Sequence, residues 1–326
     1  MSAVSEPIEP HDGSDESEFL LLSEVAAELG KPLDAVPSAR RISIDCASGP
    51  VSAIAWGDAN PEVVFLHGGS QNAHTWDLVA AEFGQSALAV DLPGHGRSSW
   101  RVDHDYSAST NVDAIACVID RVAPDARLIV GMSLGGLTLI ALAARRPDLV
   151  RRAMLVDILP ELPSTSSHRD RDRLVALRAQ GTRRYKTRDE MIDQAVSVAL
   201  RRSRASLTRG VIHNSVQDPD GWWRWRFDAN RSSAEKADGG NELLWDAVAA
   251  LPRGSLLLRG ALSTFVQSEA LERLQDAGPQ VRVEVVAEAG HAIQSDQPKE
   301  LVGHIRRLLE AASAESPPNE RYSGAK

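Results

Sequence analysis

Cysteine is almost absent from this chain, with two residues, Cys46 and Cys117, among 326. Two thiols cannot make a four-ligand metal site, and neither sits in a C-x-x-C pair. We expect both as small buried apolar side chains with no disulfide framework, a usage that fits a reducing compartment. Positive charge is also short: Lys and Arg number 36 against 45 Asp and Glu, for a net charge of −9. Without a basic field, nucleic acid is not an expected partner. No run of about 18 apolar residues occurs, so no membrane-spanning helix is expected. The start is acidic, with Glu6, Glu9, Asp12, Asp15, Glu16 and Glu18. A secretory signal needs a basic start and roughly 7–15 apolar residues, and the run Phe19–Leu22 is too short. The expectation is a cytoplasmic protein.

What is present is a chain that can build a core, since 43% of its residues are hydrophobic. Its length allows one large domain with an insertion, or two domains. Residues 1–17, rich in Ser, Pro, Glu and Asp, read as a disordered acidic tail, and 313–326 read as a second one. Between them short β-like runs alternate with helix-like stretches. Arg41–Asp45 and Val51–Trp56 form an expected hairpin around Ser48-Gly49-Pro50. Glu62–Leu66, Ser86–Val90, Leu128–Val130, Arg152–Val156, Ser255–Leu258 and Val281–Val286 are expected strands. Asn111–Val122, Gly135–Arg146 and Pro298–Ala312 are expected helices. This rhythm implies an α/β fold with a mainly parallel, doubly wound sheet covered on both faces.

Residues 160–247 break the rhythm. They lack a buried strand, and 168–209 look helical with arginines over the polar faces. A turn, Asp218-Pro-Asp-Gly221, precedes Trp222-Trp223-Arg224-Trp225-Arg226-Phe227. We read the block as a mainly helical lid inserted between core segments 18–159 and 248–312. Trp223 and Trp225 are expected in the wall of a substrate cavity. A nucleic-acid stacking platform would need basic surroundings. Most of the arginines read as a solvated face.

The sharpest motif is Gly131-Met132-Ser133-Leu134-Gly135, a G-x-S-x-G between a strand and a helix. A tight strand-to-helix turn forces the serine into strained φ/ψ and lifts its Oγ above the sheet. The helix start offers free N–H groups to developing negative charge. Leu134 N–H is the expected oxyanion donor. Met132 and Leu134 flank the serine and are expected near substrate. Trp76 is a candidate for the pocket wall, with core packing the competing role.

Together with three further motifs, this one resembles the α/β-hydrolase fold superfamily, in its serine hydrolase branch with a lid. His67-Gly68-Gly69 is similar to the family's oxyanion loop, which implies Gly69 N–H as the second donor. Asp91-Leu92-Pro93-Gly94-His95-Gly96-Arg97-Ser98 resembles its D-x-P-G-H-G-x-S loop, which implies a structural role for His95. Ala289-Gly290-His291, with Pro298 seven residues on, resembles its final G-H segment and implies His291 as general base. The likeness covers roughly residues 40–311 and is weakest across 160–247.

One position departs from the pattern. The family usually carries its acid after the seventh strand, where this chain has Arg259-Gly260-Ala261-Leu262-Ser263-Thr264-Phe265 and Thr264 in the acid's place. Some members carry the acid one strand earlier, and Asp157 ends that strand here. Asp157 is therefore the first candidate, a weakened or inactive site the second reading, and Glu269 the third. Ser263 is a candidate hydrogen-bond partner for Asp157 or His291. A serine nucleophile implies acyl transfer, and carboxylic esters of small or medium apolar substrates are the first expectation. Thioester, lactone, amide or carbon–carbon cleavage is the alternative chemistry. A non-catalytic ligand-binding or scaffold protein on the same fold is the alternative class. Neither a cofactor nor a metal is implied, and oligomeric state leaves no mark in the sequence.

Overall fold

The computed structural model describes residues 16–161, 181–198, 202–230 and 238–315. A short 3-10 turn, Glu16–Phe19, leads into α1 (Leu22–Leu29). The hairpin β1 (Ala39–Cys46) and β2 (Gly49–Trp56) follows. Then come β3 (Val63–Leu66), α2 (Asp77–Phe83), β4 (Ala87–Val90), α3 (Ala108–Val122), β5 (Leu128–Met132), α4 (Leu134–Arg145) and β6 (Ala153–Val156). The next stretch holds α5 (Arg188–Val198), α6 (Arg204–Asn214), a small pair β7 (Ser215–Gln217) and β8 (Trp223–Trp225), and α7 (Asp238–Val248). The chain ends with β9 (Leu256–Gly260), α8 (Ser268–Ala277), β10 (Arg282–Val286), α9 (Ile293–Asp296) and α10 (Pro298–Glu315).

Eight strands form one sheet in the order β1-β2-β4-β3-β5-β6-β9-β10, parallel from β4 onward. Its central strands read as unbroken apolar runs because both faces are covered. In β3, Val64 and Leu66 pack with α3 and α4, while Val63 and Phe65 pack with α2 and α10. All four are fully buried, and each contributes about 1.5–3 kcal/mol by leaving water. The register pairs Leu66 with Gly131, Met132 with Val156, Val156 with Leu258, and Val286 with Gly260. The loops after β3, β5, β6, β9 and β10 therefore all leave one edge of the sheet, where ligands bind in parallel α/β folds.

Several expectations change. The cysteines are neither apart nor fully buried: Cys46 and Cys117 form a disulfide with Cα atoms 6.1 Å apart. The hairpin lays the end of β1 over α3, bringing together residues 71 positions apart. Local spacing carries no trace of such a pairing, and the cysteine argument for a reducing compartment falls with it. The last helix runs to Glu315, three residues into the expected tail. Residues 16–17 belong to the 3-10 turn rather than to a tail, and Glu18 beside them is buried against Arg41. Residues 1–15 and 316–326 lie outside the described residues. So do 162–180, 199–201 and 231–237 of the expected insertion. Its described part adds a small sheet that was not expected: the Asp218–Gly221 turn closes β7 on β8, with Gly221 at φ 85°. Among the described residues, no helix is long and apolar enough to cross a membrane.

Candidate active site

Ser133 sits between β5 and α4 at φ 51° and ψ −117°, a conformation that costs a non-glycine residue energy. Its glycine neighbours make the bend possible. A Cβ on Gly131 would lie 2.5 Å from Gly135 O, and one on Gly135 would strike Leu66 O. The strain is shared along this edge. Of five described non-glycine residues at positive φ, Ser70, Ser133, Asp157 and Glu288 flank these loops. Such clustering is a mark of functional sites.

Asp157, fully buried at the end of β6, accepts from His291 Nδ1 at 2.8 Å through Oδ2. Ser263 Oγ donates to the same oxygen, and Gly260 N–H donates to Oδ1 at 2.9 Å. The carboxylate is thus held by three donors, from the end of β9, the loop after it and the loop after β10. Phe265 stacks on the His291 ring, centroids 3.5 Å apart and planes 8° apart. Asp296 Oδ2 accepts Gly290 N–H at 2.8 Å and pins the loop beneath it. With Nδ1 given to Asp157, His291 presents Nε2 as its free nitrogen. Ser133 Oγ and the His291 ring are not hydrogen-bonded here, a contact that hydrolases commonly tighten only around substrate. Thr264 serves the loop through its backbone carbonyl, which accepts from Gln267. Glu269 is exposed on α8, away from His291 Nδ1, whose partner is Asp157.

The loop after β3 lies against the serine. A Cβ on Gly68 would come within 2.5 Å of Met132 Sδ and 3.2 Å of both Ser133 Cβ and Gln71 Oε1. Gly68 N–H donates to Gln71 Oε1 at 3.0 Å. His67 is fully buried and bridges two loops. Its Nε2 accepts Leu92 N–H at 2.9 Å, so its Nδ1 carries the proton and donates to Gly68 O at 2.7 Å. Burial holds its pKa below the ordinary value, against the pull of Asp91. In a trans peptide, fixing Gly68 C=O also fixes Gly69 N–H, which points the opposite way. Among the described residues, neither Gly69 N–H nor Leu134 N–H has a hydrogen-bond partner. His95 is buried edge-on to His67 and bonds Pro93 O at 3.0 Å.

The expected substrate-binding residues separate. Trp76 is fully buried and stacks on Phe65 in the core, so packing is its role here. Met132 is 2% exposed and sits in the same core cluster, below the serine. Trp223 packs with Tyr185 and under Arg188, whose guanidinium lies 4.1 Å from a ring centroid. Trp225 lines a cavity of about 190 Å³ beside the site. Gln71, Phe265 and Asp296 were missed, because nothing in a single sequence marks a residue that only positions another.

A buried charge network backs this edge. Asp91 accepts Ala73 N–H at 2.7 Å, Arg97 N–H at 3.0 Å and Arg41 Nη1 at 2.6 Å. His74 donates to Asp77 at 2.9 Å from Nδ1 and to Glu18 at 2.9 Å from Nε2. Carboxylates on both nitrogens favour the protonated ring, against the Arg41 guanidinium 3.3 Å from Nε2. Burial opposes that charge, but Asp77 and Glu18 outweigh it and raise the His74 pKa. His213 stacks on His74 with centroids 3.6 Å apart, and burial together with that charge pushes its pKa down to about 2. His74, Asp77 and His213 bring ligand-type atoms within 4.8 Å of one another. The two rings are nearly parallel, 11° apart, so one ion cannot lie in the plane of both. The trio does not fit a metal centre.

Comparisons with known proteins bear on the fold and family. The alpha/beta hydrolase family model matches residues 63–304. An esterase of Mycobacterium tuberculosis, Rv0045c, is 42% identical over 298 residues, spanning 90% of this chain and 96% of its own. A solved structure of that esterase superposes with a TM-score of 0.78, at 40% identity, covering 90% of this chain and 98% of its own. The 2-(acetamidomethylene)succinate hydrolase of Mesorhizobium japonicum is 26% identical over 255 residues, or 78% of this chain and 89% of its own. The chain belongs to the alpha/beta hydrolase family.

Proposed function

We propose that this protein is a serine esterase that cleaves carboxylic esters of small or medium apolar substrates through an acyl-enzyme. The observation that carries the reading is the 2.8 Å contact between His291 Nδ1 and Asp157, on the sheet edge from which Ser133 rises in strained geometry. Asp157 fixes the tautomer that leaves Nε2 as a base. His291 takes the Ser133 proton as Oγ attacks the ester carbon. Gly69 and Leu134 N–H groups receive the developing oxyanion. The imidazolium returns its proton to the departing alcohol, and water then hydrolyses the acyl-enzyme by the same route. The esterase relative at 42% identity supports ester chemistry. Residues 160–247 act as a lid, with Trp225 facing the cavity. The well-held Asp157 favours this over a non-catalytic protein on the same fold.

The test is labelling by a fluorophosphonate probe alongside hydrolysis of p-nitrophenyl esters. Native protein is expected to label rapidly at Ser133 and to turn over the esters. Ser133→Ala is expected to lose both. Labelling at another residue would count against the assignment.

A further inference from the structure

The cavity adjoins the segments that follow two parts of the proposed machinery. Ser70 and Gln71, directly after Gly69, form one wall, and Ser295, four residues after His291, forms another. Arg202, Arg209 and Trp225 close it from the segment between β6 and β9. Gln71 links it to the nucleophile, since its Oε1 and Ser133 Cβ each approach the same point beside Gly68 within 3.2 Å.

The two arginines differ. Arg209 is neutralised by Glu28, with Glu24 at 3.7 Å, both on α1. Arg202 has no such partner. Its Nη2 donates to Ser206 Oγ at 3.1 Å, and its Nε is buried without a hydrogen bond. Among the described residues, no carboxylate lies within ion-pair distance of it. Burial lowers its pKa, and Asp296 and Glu28 act on it only from beyond contact. The other charges on the cavity wall, His74 and Asp77, are committed to each other. His213 beside them is neutral, its pKa pushed down to about 2 by burial and by His74. Among the described residues, Arg202 is thus a cavity cation with no carboxylate in contact, and its planar fork matches one.

We propose that Arg202 receives a carboxylate carried by the substrate, making the enzyme selective for esters with one anionic end, such as half-esters of dicarboxylic acids. This rests on the esterase reading and narrows its substrate class. Ester cleavage would take place at Ser133 while the anionic end is anchored in the cavity. A guanidinium waiting without a counter-ion is what such a subsite requires before substrate arrives.

The experiment compares p-nitrophenyl butyrate with p-nitrophenyl hemisuccinate on the full chain, for native protein, Arg202→Met and Arg202→Lys. Native protein is expected to favour the hemisuccinate in kcat/KM. In Arg202→Met, the hemisuccinate-to-butyrate ratio is expected to fall about 10–100-fold, mainly through KM. Arg202→Lys, which keeps the charge and loses the fork, is expected to fall less. An unchanged ratio in Arg202→Met overturns the proposal while butyrate turnover leaves the esterase reading intact. If neither ester is cleaved, that reading fails, and calorimetric titration of succinate into Ser133→Ala decides the subsite. Succinate binding that disappears in Ser133→Ala/Arg202→Met supports it, and no binding overturns it.

Discussion

Replacing Asp157 by Asn removes one charge and puts an NH2 group, with two N–H donors, in place of one oxygen, and the surrounding hydrogen bonds dictate where that group goes. Oδ1 accepts from Gly260 N–H, so the Asn carbonyl keeps that place. The amide nitrogen then occupies the Oδ2 position, facing His291 Nδ1 and Ser263 Oγ. Two donors cannot share the His291 contact. The imidazole must move its proton to Nε2 and accept at Nδ1, which leaves no base toward Ser133. The wrong tautomer and the lost imidazolium partner cost about 10⁴ in kcat in the corresponding serine-protease substitution. That corresponds to about 5.4 kcal/mol of transition-state stabilisation. Fold stability should change little, because the Ser263 hydroxyl can rotate to accept from the new amide. The assay is kcat on p-nitrophenyl butyrate, with the thermal midpoint recorded for each protein. A variant that folds normally and keeps kcat within about tenfold of native would refute the tautomer argument.

Two further outcomes test other parts of the molecule. Reducing Cys46–Cys117, or replacing both by Ala, should lower unfolding free energy by about 2–4 kcal/mol, read from urea melts with and without reductant; an unchanged midpoint would remove the disulfide from the stability of the fold. The charge network predicts how stability varies with pH. The folded pKa of His74 lies above its ordinary 6.5, so its contribution is full below that value and fades as pH rises through the folded pKa. For Glu18, burial raises the pKa, but the His74 hydrogen bond and the Arg41 charge outweigh it and hold it far below the ordinary range. Its contribution is therefore present above the unfolded carboxylate pKa of about 4.3 and fades as pH falls toward the folded value. The thermal midpoint should decline on both sides, and His74→Gln should flatten the alkaline limb and weaken the acid limb as well, because Glu18 loses the His74 charge.

Some of this was legible along the chain for plain reasons. β3 and β5 are short apolar runs bounded by glycine because both faces of the sheet are covered, so their existence follows from local composition. The elbow at Ser133 was equally readable, since a bend that tight admits only glycine at positions 131 and 135. Element ends were less so: α10 runs on to Glu315, and Ser215–Gln217 pairs with Trp223–Trp225 around a turn whose flanks were not expected as strands. Trp76 shows the limit for side chains. A tryptophan after His67-Gly68-Gly69 suits a pocket or a core equally, and only the stack with Phe65 decides.

The succession of strands along the chain and the glycine-flanked bend at Ser133 are properties of neighbours in the chain, and the sequence alone determined them. What folding decided are the meetings between distant residues. Among these are Asp157 with His291, 134 positions apart, and Cys46 with Cys117. Local patterns encode periodicity and turn chemistry, whereas a contact across the sheet depends on register, twist and loop path together. No single stretch of sequence contains that information.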